Sequence, residues 1–322
     1  MADQPALDDP MPLDEVNFFD PAINDCPYHA YRTLRDDAPV WFDERLKAFV
    51  VTRHEDVLAV LRDTERFNNA QRRGSRPEVQ ALYEEKGWVP ARTLAGRDDP
   101  NHNEMRQLFD HAFRPKKLRA LEPQIERLAH ELIDDFIEAG ECDWVQQFAV
   151  PLPLVVIGMQ MGADPDDIWK IKAWTDAWVQ RLGLMQTPEQ VIWSTEMEIE
   201  AQHYFQPIFE RLRETPDDTL LSDLVNTPIP EWDRCLTDED LHAEMMADTF
   251  VGGSETTTNA LSGGVRLLIE HPDQWDRLKS DPDRYLPLLV EEVLRLESPV
   301  QRLSRVCGED VELHGVTIPE LS

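Results

Sequence analysis

The stretch that most limits the fold opens at Thr237-Asp238-Glu239-Asp240, where a threonine precedes an acidic residue three positions on. That spacing resembles a capping box, the signature of a helix start. From Leu241 the helical pattern runs unbroken to about Glu270 and stops before Pro272. A helix of about thirty residues is roughly 45 Å long, so it crosses an entire domain. Helical periodicity dominates elsewhere too. Helices are predicted over Tyr28–Asp37, His54–Arg62, Asn101–Phe113 and Lys116–Ala139, the last ending at Gly140. Ile168–Leu212 reads as two helices broken near Thr187-Pro188, and shorter ones follow over Asp273–Lys279 and Tyr285–Leu296.

Extended runs are few. Pro39–Phe42 and Ala48–Thr52 suit a small antiparallel pair, and the tail alternates over Gln301–Val306, Val311–Leu313 and Val316–Ile318. Asn68–Leu94, with Gly74, Pro77, Gly87 and Pro90, reads as a long excursion without a firm element. No repeat or Gly/Ser linker divides the chain, so the expectation is one mainly α domain with a small β region.

The 322 residues include 63 acidic and 32 basic side chains, a formal net charge of −31. Such a chain makes a poor general nucleic-acid binder, because polyanion binding rests on cationic contacts to phosphate. Cys26, Cys142, Cys235 and Cys307 lie far apart without CxxC spacing, which excludes a disulfide scaffold or zinc knuckle and suits a reducing cytoplasm. The longest apolar stretch, Phe148–Ala163, is broken by Pro151, Pro153 and Gln160, too short to span a bilayer. With an acidic, proline-containing N-terminus unlike a signal peptide, the expectation is a cytoplasmic protein without membrane or nucleic-acid partners.

Four segments carry chemistry. Gly252-Gly253-Ser254-Glu255-Thr256-Thr257-Thr258 interrupts the long helix with residues of poor helix propensity. A threonine hydroxyl there can bond the carbonyl four residues back, so Thr256 is expected to meet Gly252 and open a bulge or kink, the alternative being close helix packing over small residues. The segment lacks the last glycine of G-x-S-x-G and no strand precedes it, so a serine hydrolase is excluded. Glu292 and Arg295 stand one turn apart in an apolar context, Leu288-Leu-Val-Glu-Glu-Val-Leu-Arg-Leu296, which reads as a partly buried ion pair. His102 and Arg106 share a helix face, which reads either as an ordinary helix start after a proline or as a two-pronged donor for a carboxylate or phosphate. Arg114, Lys116, Lys117 and Arg119 form the most basic cluster of an acidic chain, a candidate docking patch for an acidic partner.

In order and spacing, Asp99-Pro100-Asn101-His102…Arg106…Ala112-Phe113-Arg114-Pro115, the Gly252–Thr257 segment, Glu292-x-x-Arg295 and Ser298-Pro299-Val300-Gln301-Arg302-Leu303-Ser304-Arg305 resemble the bacterial cytochrome P-450 family of haem-thiolate monooxygenases. The resemblance runs from about Phe18 to Pro319. It implies a cytochrome P-450-like single domain over residues 1–322, haem b as cofactor, and insertion of one oxygen atom from dioxygen into a small organic substrate. Electrons would come from NAD(P)H through a ferredoxin and its reductase. By the same resemblance, His102, Arg106 and Arg305 hold the haem propionates and Gly252 borders the haem. Glu255 and Thr256 form the acid–alcohol pair that handles dioxygen and protons. Leu94, Asp248, Val251 and Val300 face the substrate, and Glu292 with Arg295 supports the haem-binding core.

Family members usually carry an apolar residue where Asp248 stands. It is expected either to meet an arginine or a capped backbone end, or to orient a substrate amine or hydroxyl. The family's iron takes its thiolate from an F-x-x-G-x-x-x-C-x-G loop, which these 322 residues lack. Cys307 stands in Arg305-Val306-Cys307-Gly308-Glu309, without the surrounding glycines. The expectation is therefore a truncated domain whose C-terminal part is missing, with no metal ligand. The alternative is a non-catalytic fragment or helical interaction module.

Overall fold

The computed structural model describes residues 10–69, 76–182 and 186–322. Its contacts separate into two compact units, one of residues 1–74 with 304–322, the other of residues 75–303.

The first unit holds helices α1 (Pro21–Asp25), α2 (Tyr28–Asp37) and α3 (His54–Arg62), with strands β1 (Val40–Asp43), β2 (Ala48–Val51) and β3 (Phe67–Asn68). Strands β4 (Val306–Cys307), β5 (Val311–Leu313) and β6 (Val316–Ile318) complete it. All three pairings are antiparallel: β1 with β2, β3 with β4, and β5 with β6. The β5–β6 turn places both His314 and Gly315 at positive φ, the backbone a two-residue type I′ hairpin demands. Two apolar clusters fill the unit. One gathers Val16, Phe18, Ala30 and Leu34; the other gathers Val40, Phe67, Cys307, Val311 and Ile318. Of the expected tail strand over Gln301–Val306, only Val306 is extended and paired, through its register with Asn68.

The second unit is helical among its described residues. It comprises α4 (Pro77–Lys86), α5 (Asn101–Ala112), α6 (Pro115–Ile137), α7 (Pro151–Gln160), α8 (Ile168–Leu182), α9 (Pro188–Glu214) and α10 (Leu220–Asn226). The long run follows as α11 (Asp238–Glu244), a π-helical turn (Met245–Val251) and α12 (Gly252–Glu270), then α13 (Pro272–Ser280) and α14 (Pro282–Leu296). Met105, Leu154, Trp174, Phe205, Phe209 and Phe250 are fully buried in one core that runs through α5, α7, α8, α9 and the π turn. No helix is long and apolar enough to cross a membrane among the described residues.

Three expectations need correction here. The excursion before Leu94 contains a helix, α4, which buries Val79 and Tyr83 against Ile199 of α9; residues 70–75 of that stretch lie outside the described residues. The Glu292–Arg295 pair is not buried. Both side chains are exposed, and the guanidinium donates to both carboxylate oxygens at 2.8 and 2.5 Å. Only Val293 of α14 is buried, while Leu288 is 61%, Val290 49% and Leu294 42% exposed. The apolar neighbours that suggested burial thus have no cover among the described residues. Nor is the basic cluster free as a whole: Arg114 and Lys117 donate to the Asp223 carboxylate of α10 at 3.0 and 2.5 Å. Lys116 and Arg119 remain exposed on α6.

Candidate haem and substrate site

The capping box at the head of the long run forms as expected. Thr237 Oγ1 accepts from the Asp240 amide at 3.2 Å, and the Asp240 carboxylate accepts from the Thr237 amide at 3.1 Å. Asp240 also receives Arg97 at 3.0 Å and Arg234 at 2.7 Å, so the start of the helix is tied to the segment beyond Gly96.

One turn later the helix widens over Met245–Val251 and then tightens at Gly252. Such π turns inside α-helices are frequent at functional sites. The two glycines that follow have different tasks. A Cβ on Gly253 would stand 2.9 Å from Ile157 Cγ1 of α7, so this glycine permits close helix packing. A Cβ on Gly252 would meet nothing within 4 Å; this glycine faces open space and is exposed. Thr256 Oγ1 donates to the Gly252 carbonyl at 3.0 Å, the bond expected from the spacing. The widening lies just N-terminal to this bond rather than at it. Glu255 points elsewhere: its carboxylate receives Lys172 Nζ of α8 at 3.1 Å, and Lys172 also pairs with Asp176.

Asp248 lies within the π turn, half-buried, and its Oδ2 accepts from the Ala95 amide at 2.8 Å. One turn before it, Glu244 accepts from the Leu94 amide at 2.7 Å. Leu94 is itself buried at the start of a short 3₁₀ turn, Leu94–Gly96, capped by Thr93. The structure therefore joins Leu94 and Asp248 through adjacent backbone amides. Of the two expectations for Asp248, this contact matches the capped backbone end. Sequence reasoning missed Glu244 altogether.

His102 and Arg106 occupy α5 one turn apart. His102 Nδ1 stands 3.6 Å from Asp99, and Arg106 donates to Asp110 at 2.9 Å, both at the surface. Val300 follows α14 and is exposed. Arg305 belongs to the first unit, where it donates to the Ser304 carbonyl.

Within the second unit, His102 and Arg106 offer donors of the kind that suits an anionic edge. Gly252 leaves an open face on the long helix, and the exposed Arg106 is of the type that binds carboxylates. Iron is another matter. Cys307 is buried in β4 with its thiol donating to the Glu309 carbonyl at 2.9 Å, and burial pushes the thiol's pKa up. A haem-thiolate ligand must be ionised, so Cys307 does not fit that role.

A sequence model of the family described as cytochrome P-450 matches residues 184–320. The steroid C26-monooxygenase of Mycobacterium tuberculosis is 34% identical over 289 residues, which span 90% of this chain and 69% of that protein. The biotin biosynthesis cytochrome P-450 of Bacillus subtilis is 30% identical over 294 residues, 91% of this chain and 72% of that one. Among solved structures, cytochrome P-450 BioI in complex with an acyl carrier protein ligated to hexadec-9Z-enoic acid superposes with a TM-score of 0.83 at 28% identity, over 93% of this chain and 76% of that one. CYP109E1 of Bacillus megaterium with testosterone gives 0.78 at 31% identity, over 91% and 73%. The chain belongs to the cytochrome P-450 family, whose members are haem monooxygenases.

Proposed function

We propose that residues 1–322 carry the oxygen-handling and substrate-facing part of a cytochrome P-450 domain to which both units belong. The observation that carries this reading is the Thr256–Gly252 bond, set on the open face of the long helix just after a π turn. His102, Arg106 and Arg305 would hold the haem propionates and Gly252 would lie against the haem. When bound, the haem supplies dioxygen activation. Thr256 holds its hydroxyl on the Gly252 carbonyl, and Glu255, bonded to Lys172, is the acid–alcohol partner that relays protons. Leu94, Val251, Asp248 and Val300 shape the substrate wall. The substrate is a small organic molecule, for which steroids and acyl chains are the precedents among the relatives. Asp248, already bonded to Ala95, acts on it chiefly by fixing that wall. Glu292 and Arg295 hold each other on the exposed face of α14 and would support the haem-binding core from there.

Two results are expected. The 322-residue polypeptide, reconstituted with haem, gives no thiolate-type Soret band in its reduced carbon-monoxide complex, and replacing both His102 and Arg106 by Ala weakens its haem retention. A thiolate-type band, or unchanged retention, would reject these assignments.

Electrons arrive from NAD(P)H through a ferredoxin-type carrier that docks on Lys116 and Arg119, the exposed cations of α6. Reversing both charges should slow first-electron transfer at low ionic strength and leave substrate affinity alone, because steering fades with salt. Equal rates at low salt would remove the patch from consideration.

A further inference from the structure

Glu244 is among the least exposed carboxyl groups of the chain, at 1%. One oxygen, Oε1, accepts from the Leu94 amide at 2.7 Å. The other, Oε2, is buried and receives no N–H or O–H donor among the described residues. What lies within hydrogen-bond reach of the Glu244 carboxyl is a second carboxylate, Asp248, which itself accepts from the next amide, Ala95, at 2.8 Å. Two carboxyl groups can bond to each other only through a proton. The charged groups acting on Glu244 are Asp248 of the same helical run and Arg97, and Arg97 is bonded at 3.0 Å to Asp240.

We infer that Glu244 and Asp248 share one proton and together form a pH-sensitive latch that holds the Leu94–Gly96 turn against the long helix. With the proton in place, Glu244 Oε2–H donates to Asp248, and the two acids cap adjacent amides of the turn. Burial, and then the charge of Asp248, push the Glu244 pKa well up, in keeping with that arrangement. Removing the proton leaves the buried Glu244 carboxylate charged beside Asp248, and the turn must open to hydrate it.

The sign follows from linkage. An opened turn returns Glu244 towards its ordinary value of 4.5, while the closed turn keeps it protonated. Closure is therefore complete at low pH and weakens as pH rises above 4.5, by up to tenfold per pH unit until the raised closed-state value is reached. Glu244 is thus a positioning residue, acting through the turn. The latch operates whether or not Asp248 meets a substrate.

Hydrogen exchange read by mass spectrometry on the full 322-residue chain tests this without any cofactor. After correction for the chemical exchange rate, protection of the amides of residues 94 and 95 should fall steadily between about pH 5 and pH 8. Glu244→Gln places an N–H donor where the shared proton stood and keeps the acceptor for Leu94, so its protection should stay flat over that range. A flat wild-type profile, or the wild-type slope retained in Glu244→Gln, would overturn the latch. If the variant does not fold, the wild-type profile decides the question.

Discussion

Replacing Glu198 by Ala should destabilise the protein by about 3–5 kcal/mol, the range for removing one partner of a buried ion pair. Glu198 sits in α9 almost wholly buried, where it receives Arg181 of α8 and, at 2.7 Å, the hydroxyl of Tyr83 from α4. Arg181 is pinned further, donating to the Ser194 carbonyl at 2.6 Å and to Ser194 Oγ at 3.1 Å. It cannot swing to solvent without breaking both bonds. Burial, then the Glu198 charge, hold the Tyr83 hydroxyl far above its ordinary pKa, so the phenol stays a donor. Loss of the carboxylate strands a guanidinium and a phenol together. A Glu198→Gln variant keeps an acceptor for Tyr83 and should lose less. Replacing Glu198 and Arg181 together with Met should also cost less than Glu198→Ala alone, because no lone charge is left behind. Urea unfolding of the three variants reads these differences. A Glu198→Ala cost below about 1 kcal/mol would place the network among surface pairs of little worth.

The same network explains why α4 was hard to read. Pro77-Glu-Val-Gln-Ala-Leu-Tyr-Glu-Glu-Lys86 has no continuous apolar stripe, since what anchors it is one phenol, two small apolar contacts and a distant acid. Its continuation is held the same way: Gln202 of α9 both accepts from and donates to the Trp88 backbone, each at 2.9 Å. Polar clamps between residues more than a hundred positions apart leave no local pattern. Capping chemistry is local, so the start at Thr237 and the break before Pro188 were legible. The Thr256–Gly252 bond was legible too, because it spans four residues. The π turn was not, for Met245–Val251 is an ordinary apolar-rich helical sequence whose widening is set by its packing partners. Nothing local in the sequence sets Glu244 apart, because its partner is an amide 150 positions away. Glu292 failed in the opposite direction: apolar neighbours raise the expectation of burial, yet burial needs a covering element.

His242, two residues before Glu244, should make the protein lose about 3 kcal/mol as the pH falls from 6.5 to 4. Its ring is 1% exposed and lies against Trp88 and Phe209, with ring centroids 4.6 and 4.9 Å away. Gln206 gives its amide nitrogen to Glu210 and Asp238, so its oxygen faces the histidine, and His242 Nε2 donates to it at 2.9 Å. The neutral tautomer therefore carries its proton on Nε2. Nδ1 is buried with no partner among the described residues, so a second proton would place a charge there without compensation. Burial is the main cause that lowers the pKa from 6.5 to about 4; Asp238 opposes it, and His203 and Arg213 add to it. Because the folded value lies below the unfolded one, the stabilisation is complete above pH 6.5 and is lost as pH falls towards 4. A gap of that size is worth about 3 kcal/mol. Glu244 has the opposite sign: its raised value makes the closed state lose ground as pH rises above 4.5. Two buried groups on α11 thus titrate with opposite sign, and between pH 4.5 and 6.5 each weakens its own part of the structure as the other gains. In His242→Phe the ring slot stays filled while the titration is gone. The carboxylates common to both proteins cancel in the comparison, so wild type should fall below the variant's trend by about 3 kcal/mol between pH 6.5 and 4 in urea unfolding. Parallel pH profiles for the two proteins would show that the buried imidazole finds a partner for its second proton, and would reject the prediction.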